Sequence, residues 1–116
     1  MEKEAVLAAL AALAQETRLD AFRCLVRAGL SGLPAGELAE KLGVPPATLS
    51  FHLKELRNAR LVTSDRAGRS IRYAPDFTVI GAVVAYLAEN CCRDAPSLVA
   101  DSGTAVASTE STPQSP

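Results

Sequence analysis

A glycine and two prolines within four residues, Gly43-Val44-Pro45-Pro46, constrain this chain more than any other feature. Gly43 tolerates the left-handed conformation that ends a helix, and proline suits a first helical turn, where an N–H would go unpaired anyway. Upstream, Ala35 to Leu42 reads as a two-turn helix with Leu38 and Leu42 at i, i+4. Downstream, a second helix opens at the prolines and runs to about Ala59, with Leu49, Leu53 and Leu56 facing inward. Two strands follow at once, Leu61 to Arg66 and Arg69 to Ala74, around Ala67-Gly68, which is a hairpin pattern.

Two helices precede this unit and one follows it. The first ends near Ala14 and carries Val6, Leu10 and Leu13 on one stripe, with Leu7 beside them. The second opens at Glu16-Thr17, turns Leu19, Phe22 and Val26 inward and ends at Gly29. Ser31 to Pro34 is a short connector with room for one extended step. Pro75-Asp76 starts the last helix, with Asp76 as N-cap and a stripe of Ile80, Val83, Val84, Leu87 and finally Cys91. A short helix, a tight turn, a second helix and a hairpin form the winged helix-turn-helix layout: a mainly α fold with a β-hairpin wing. It is expected to occupy residues 1–93. From Ala95 onward half the positions are Ser, Thr or Pro, a composition that cannot offset its own ordering entropy, so residues 94–116 are expected to form a disordered tail.

With 4% aromatic residues and no Trp, the core must be built from Leu, Val, Ala and Ile. Three cysteines and a single histidine exclude a disulfide scaffold and a His-based zinc site. Met1 to Ala5 is no secretory signal, and the longest apolar stretch, Phe77 to Ala88, is too short to cross a bilayer. A soluble, intracellular protein without a membrane partner is the expectation.

Twelve basic and thirteen acidic residues give a formal charge of −1, which argues against a nucleic-acid partner until the charges are located. Between Pro45 and Pro75 the net charge is +4, from Lys54, Arg57, Arg60, Arg66, Arg69 and Arg72 against Glu55 and Asp65; the remainder carries −5. The outward face of the Pro46 helix holds Ala47, Thr48, Ser50, Phe51, Lys54, Arg57 and Asn58. Compact groups near a recognition helix's N-terminus can reach base edges, and cations further along hold phosphates. The same face would also serve as the solvated side of any amphipathic helix. Arg66, Arg69 and Arg72 bracket the hairpin tip, where a wing meets the DNA backbone or minor groove; Arg69 lies next to the tip, and alternation keeps all three from facing one way. The expected DNA contacts are Thr48, Ser50, Phe51, Lys54, Arg57, Arg66 and Arg69. His52, on the helix's inner edge, reads as a hydrogen-bonded packing residue or a phosphate contact. Phe51 needs either a partner element or a thymine methyl.

Cys91 and Cys92 are adjacent, with Arg93 following. Two neighbouring thiols can chelate one soft ion if the helix frays there; alternatively Cys91 completes the apolar stripe and Cys92 is incidental. Leu13-Ala14-Gln15-Glu16-Thr17-Arg18-Leu19 resembles the characteristic opening of the ArsR/SmtB family of bacterial metal-sensing repressors. So do Glu37-Leu38-Ala39 with Leu42-Gly43, Thr48-Leu49-Ser50-Phe51-His52-Leu53, and Gly68-Arg69 followed by Tyr73. The resemblance implies a cytoplasmic bacterial homodimer joined through its first and last helices, here the stripes Val6–Leu10–Leu13 and Ile80–Val84–Leu87. It also implies binding to a palindromic duplex operator and release on effector binding.

The family's thiol site on the helix before the turn is missing, since Pro34, Ala35 and Gly36 stand there, and no His follows Asp76 on the last helix. Tyr86-Leu87-Ala88-Glu89-Asn90-Cys91-Cys92 is similar to a subgroup responsive to trivalent arsenic, with antimony a related effector. That subgroup has a third cysteine shortly after the pair, where this chain has Arg93 to Leu98. Cys24, the remaining thiol, reads as core packing, with a third-ligand role left open. Two thiols suit a monomethylated trivalent arsenical, with its two exchangeable positions, better than arsenite. A thiol redox switch and a protein-binding winged helix are the alternatives. An enzyme is not expected: there is no Cys-x-x-Cys and no base beside the thiols.

Overall fold

A computed structural model describes residues 1–94. The tail expected at the C-terminus lies, from residue 95 on, outside the described residues. The elements are α1 (Lys3–Leu13), α2 (Glu16–Ala28), β1 (Leu33–Pro34), α3 (Ala35–Leu42), α4 (Pro46–Asn58), β2 (Val62–Ala67), β3 (Ser70–Pro75) and α5 (Phe77–Ala88). Met1–Tyr86 form one compact unit, and Leu87 opens a second.

In the first unit the core is aliphatic. Leu25 of α2, Leu38 of α3, and Leu49, Leu53 and Leu56 of α4 are fully buried, joined by Leu61 and Val62 where the chain enters the hairpin. Each such side chain removed from water contributes roughly 1.5–3 kcal/mol. Asp76 caps α5 as expected: its Oδ1 accepts from the backbone N–H of Thr78 at 3.0 Å and of Val79 at 3.3 Å.

The apolar stripes of α1, α2 and α5 are each divided between the core and the surface, and only that of α2 departs from an expected inward face. On α1 the buried line is Val6, Ala9 and Ala12, while Leu7 and Leu10 are exposed. This helix is apolar around most of its circumference, and the alanine side lets the neighbouring helices approach closely. On α2 the buried residues are Ala21, Phe22 and Leu25; Leu19 and Val26 are exposed. The inward line is rotated by one residue and takes in Arg18, which is half-buried. On α5 Val83 is buried and Ile80 half-buried, whereas Val84 and Leu87 are 59% and 63% exposed. Cys91 lies beyond the end of α5 and is exposed, so it completes no packed stripe.

The sheet is antiparallel with strand order β1-β3-β2. The connector's extended step is β1, where Leu33 pairs with Tyr73 and Pro34 with Arg72. Proline is admissible there because β1 is an edge strand. The hairpin turn sits one residue later than expected. Ala67 pairs with Ser70, leaving Gly68 and Arg69 as the two loop residues. Gly68 has φ +64°, the left-handed value that a two-residue turn with glycine in first place requires.

Gly32 holds the α2–β1 loop against the sheet. It is buried with φ +71°, and a Cβ on it would collide with the carbonyl oxygen of Tyr73. The Arg72 guanidinium closes the same contact, donating to the carbonyl oxygens of Ser31 and Gly32, each at 3.1 Å. Gly32→Ala is therefore expected to cost about 2 kcal/mol or more, read as a lower urea midpoint with an unchanged slope. A midpoint equal to wild type would show that the loop relaxes freely.

Candidate nucleic-acid interface and thiol pair

The turn between α3 and α4 is built as its sequence implies. Gly43 has φ +68°, its N–H reaches the Ala39 carbonyl at 2.9 Å, and Pro46 starts α4. At the other end, the N–H of Arg60 bonds the Arg57 carbonyl at 2.9 Å and that of Leu61 bonds the Leu56 carbonyl at 3.0 Å. This is a Schellman cap, and Arg60 occupies its left-handed position, φ +66°, where glycine is usual.

Burial of Leu49, His52, Leu53 and Leu56 orients α4. Ala47, Thr48, Ser50, Phe51, Lys54, Arg57 and Asn58 are consequently all exposed. Phe51 is 58% exposed and meets the His52 ring edge-on, with centroids 5.3 Å apart. Arg57 donates from Nη1 to Oγ of Ser64 on β2 at 3.1 Å, so one of its groups is already engaged. Along β2, Arg66 falls on the same face as Ser64 by alternation, the side that Arg57 reaches. Arg69 is exposed in the turn itself. Arg72 stands on the opposite face and is occupied by the α2–β1 loop. Thr48, Ser50, Phe51, Lys54 and Arg57 thus lie on the exposed side of α4, Arg66 on the strand face that Arg57 reaches, and Arg69 at the wing tip.

His52 is only 9% exposed, and its Nδ1 lies 3.1 Å from Nη1 of Arg18, which makes it a hydrogen-bonded packing residue. Sequence reasoning missed Arg18. The signal was its place four residues before Phe22, on the line that carries the core of α2.

A helix-turn-helix domain model matches residues 13–65, from the end of α1 into β2. The transcriptional regulator NmtR of Mycobacterium tuberculosis is 42% identical over 69 residues, 60% of this chain and 55% of that protein, so the match spans about half of that relative's length. Among solved structures, an ArsR-like transcriptional regulator from Rhodococcus sp. RHA1 superposes with a TM-score of 0.66 at 26% identity, over 94% of this chain and 96% of that one. The antimony-specific transcriptional repressor AntR is 31% identical, with a TM-score of 0.58 over 71% of this chain and 73% of its own. The chain belongs to the ArsR family. Its winged helix-turn-helix is the fold of that family, and such regulators are not enzymes.

In this ArsR-family chain the vicinal thiols follow α5 in an irregular turn. Asn90 and Cys92 both take φ +61°, and the Cys91 N–H bonds the Ala88 carbonyl at 2.9 Å. Adjacent side chains on a regular helix diverge by about 100°. Here Cys91 and Cys92 Sγ lie 3.0 Å apart, Cys91 exposed and Cys92 half-buried. The thiol–thiol hydrogen bond to Cys91 raises the Cys92 pKa, and partial burial and the Cys91 charge act in the same direction. Among the described residues no cluster of three or more His, Cys, Asp or Glu side chains is arranged to hold a metal ion. Cys24 is half-buried on α2, packed against the core as expected.

Removing Cys91 removes the hydrogen bond and the charge that raise Cys92, leaving only its partial burial, so more of Cys92 is thiolate at a given pH. In the Cys91→Ala variant the iodoacetamide rate at Cys92, followed by peptide mass mapping across pH, is expected to rise at a lower pH than in wild type. An unmoved profile would mean that the two thiols do not share a proton.

Proposed function

We propose that this chain is a transcriptional repressor that binds a palindromic duplex operator as a homodimer and releases it when Cys91 and Cys92 capture a trivalent arsenical. The observation that carries the DNA-binding part is the exposed face of α4, tied to the wing by the Arg57–Ser64 bond, with Arg66 and Arg69 exposed on that wing. Thr48, Ser50 and Phe51 are assigned to base edges and methyl groups, and Lys54, Arg57, Arg66 and Arg69 to phosphates or the minor groove. Dimer contact is assigned to the outward faces of α1 and α5, where Leu7, Leu10 and Val84 are apolar and exposed. A cytoplasmic bacterial setting follows from this role; no described helix is long and apolar enough to cross a membrane.

The effector assignment rests on two sulfurs 3.0 Å apart on a turn that already departs from helical geometry. Soft trivalent arsenic or antimony prefers thiolates. Each thiol would displace one hydroxyl of a hydroxo-arsenical, its proton leaving in the water formed. Two thiols satisfy a monomethylated arsenical completely, and the likeness to a repressor described as antimony-specific supports an effector of this class. Binding beside α5 acts on the dimer contact and hence on the spacing of the two α4 helices. A coupling of about 1–3 kcal/mol suffices for de-repression.

The Cys91→Ser, Cys92→Ser double variant is expected to bind duplex DNA as wild type does and to be insensitive to methylarsenite, arsenite and antimonite in a fluorescence-anisotropy release titration. Release that persists in the double variant would place the effector elsewhere. Release by oxidant alone would assign the pair to a redox switch.

A further inference from the structure

Arg18 is a cation on the inward line of α2, level with buried Ala21, Phe22 and Leu25, and its guanidinium reaches two other helices. Nε donates to the Ala12 carbonyl at 2.6 Å, in the last turn of α1, where carbonyls have no partner within the helix. Nη1 lies 3.1 Å from Nδ1 of His52 on the buried side of α4. The residue is itself anchored, because its backbone N–H donates to Gln15 Oε1, the N-cap of α2, at 2.9 Å.

A guanidinium only donates and keeps its protons. Nδ1 of His52 is therefore the acceptor, and the neutral ring carries its proton on Nε2. One side chain thus settles the orientation and the tautomer of a ring packed beneath the outward face of α4, much as a second partner orients a metal-bound histidine.

We propose that Arg18 is a positioning residue for DNA binding. Its guanidinium ties the end of α1 to His52 and so sets the tilt of α4 against the α1–α2 pair. The proposal rests on the reading of α4 as the DNA-contacting helix. It adds the route by which a shift of α1, the helix assigned to the dimer contact, reaches the DNA-contacting face: through one rigid joint.

His52 is the only histidine, so its ring nitrogens give unambiguous 15N NMR signals. The full chain is expected to show the Nε2–H tautomer, and Arg18→Leu is expected to lose this preference. The DNA probe is a duplex recovered from a random pool by the wild-type chain. Arg18→Leu should bind it about tenfold more weakly at a temperature where circular dichroism shows the variant folded. The slope of log affinity against log salt should not change, because no phosphate contact is lost. His52→Asn, whose Oδ1 stands where Nδ1 was, should retain more affinity than His52→Gln, and that difference should vanish in the Arg18→Leu background.

Unchanged affinity in Arg18→Leu overturns the proposal, as does a slope lowered by about one, which would make Arg18 a direct phosphate contact. An Nδ1–H ring in the wild type overturns the joint itself. If Arg18→Leu does not fold, the tautomer and the Asn/Gln pair decide. A wild-type chain that enriches no duplex defeats the DNA-binding reading, while the tautomer still judges the joint.

Discussion

Three leucines on one side of a thirteen-residue helix decide which way the rest of that helix looks. Leu49, Leu53 and Leu56 are each no more than 1% exposed, and together their burial outweighs any single polar contact on α4. With that face inside, Thr48, Ser50, Phe51 and Lys54 can only point out. Several other features of the first unit support this placement. The Gly43 turn aims the helix start, Leu61 and Val62 continue the core into the hairpin, and the Arg57–Ser64 bond joins helix to wing.

Charge distribution reinforces this geometry. A chain with net charge −1 would not be drawn to a polyanion as a whole, but the segment from Pro45 to Pro75 holds six of its twelve cations and only two of its thirteen acids. Within that segment the structure sorts them further. Arg66 and Arg69 remain exposed on the wing, Arg57 braces it, and Arg72 is spent on the backbone of the α2–β1 loop. A count of basic residues overstates the cations available to a phosphate backbone.

Element order, the inner face of α4, the Asp76 cap and the Gly43 turn were all legible in the sequence, because each depends on local chemistry. The inward faces of α1, α2 and α5 were not. A helix apolar on several sides leaves its orientation to the neighbours it packs against. On α2 the true line contained an arginine, which pattern reading sends to the surface. The sequence pattern puts the hairpin turn one residue early, since Ala67-Gly68 and Gly68-Arg69 both hold the glycine and only cross-strand pairing separates them. For the thiols, adjacency was visible. Of the left-handed Asn90 and Cys92 beside the close sulfurs, only Asn90 carried a sequence signal, asparagine being second to glycine in that conformation.

The outward side of α4 and the wing tip are the proposed DNA contacts. Amide chemical-shift mapping on addition of a duplex tests this assignment residue by residue. Perturbations should concentrate at Thr48, Ser50, Phe51, Lys54, Arg57, Arg66 and Arg69 and weaken as salt is raised. Perturbations gathered on the outer faces of α2 and α3, with α4 silent, would contradict it.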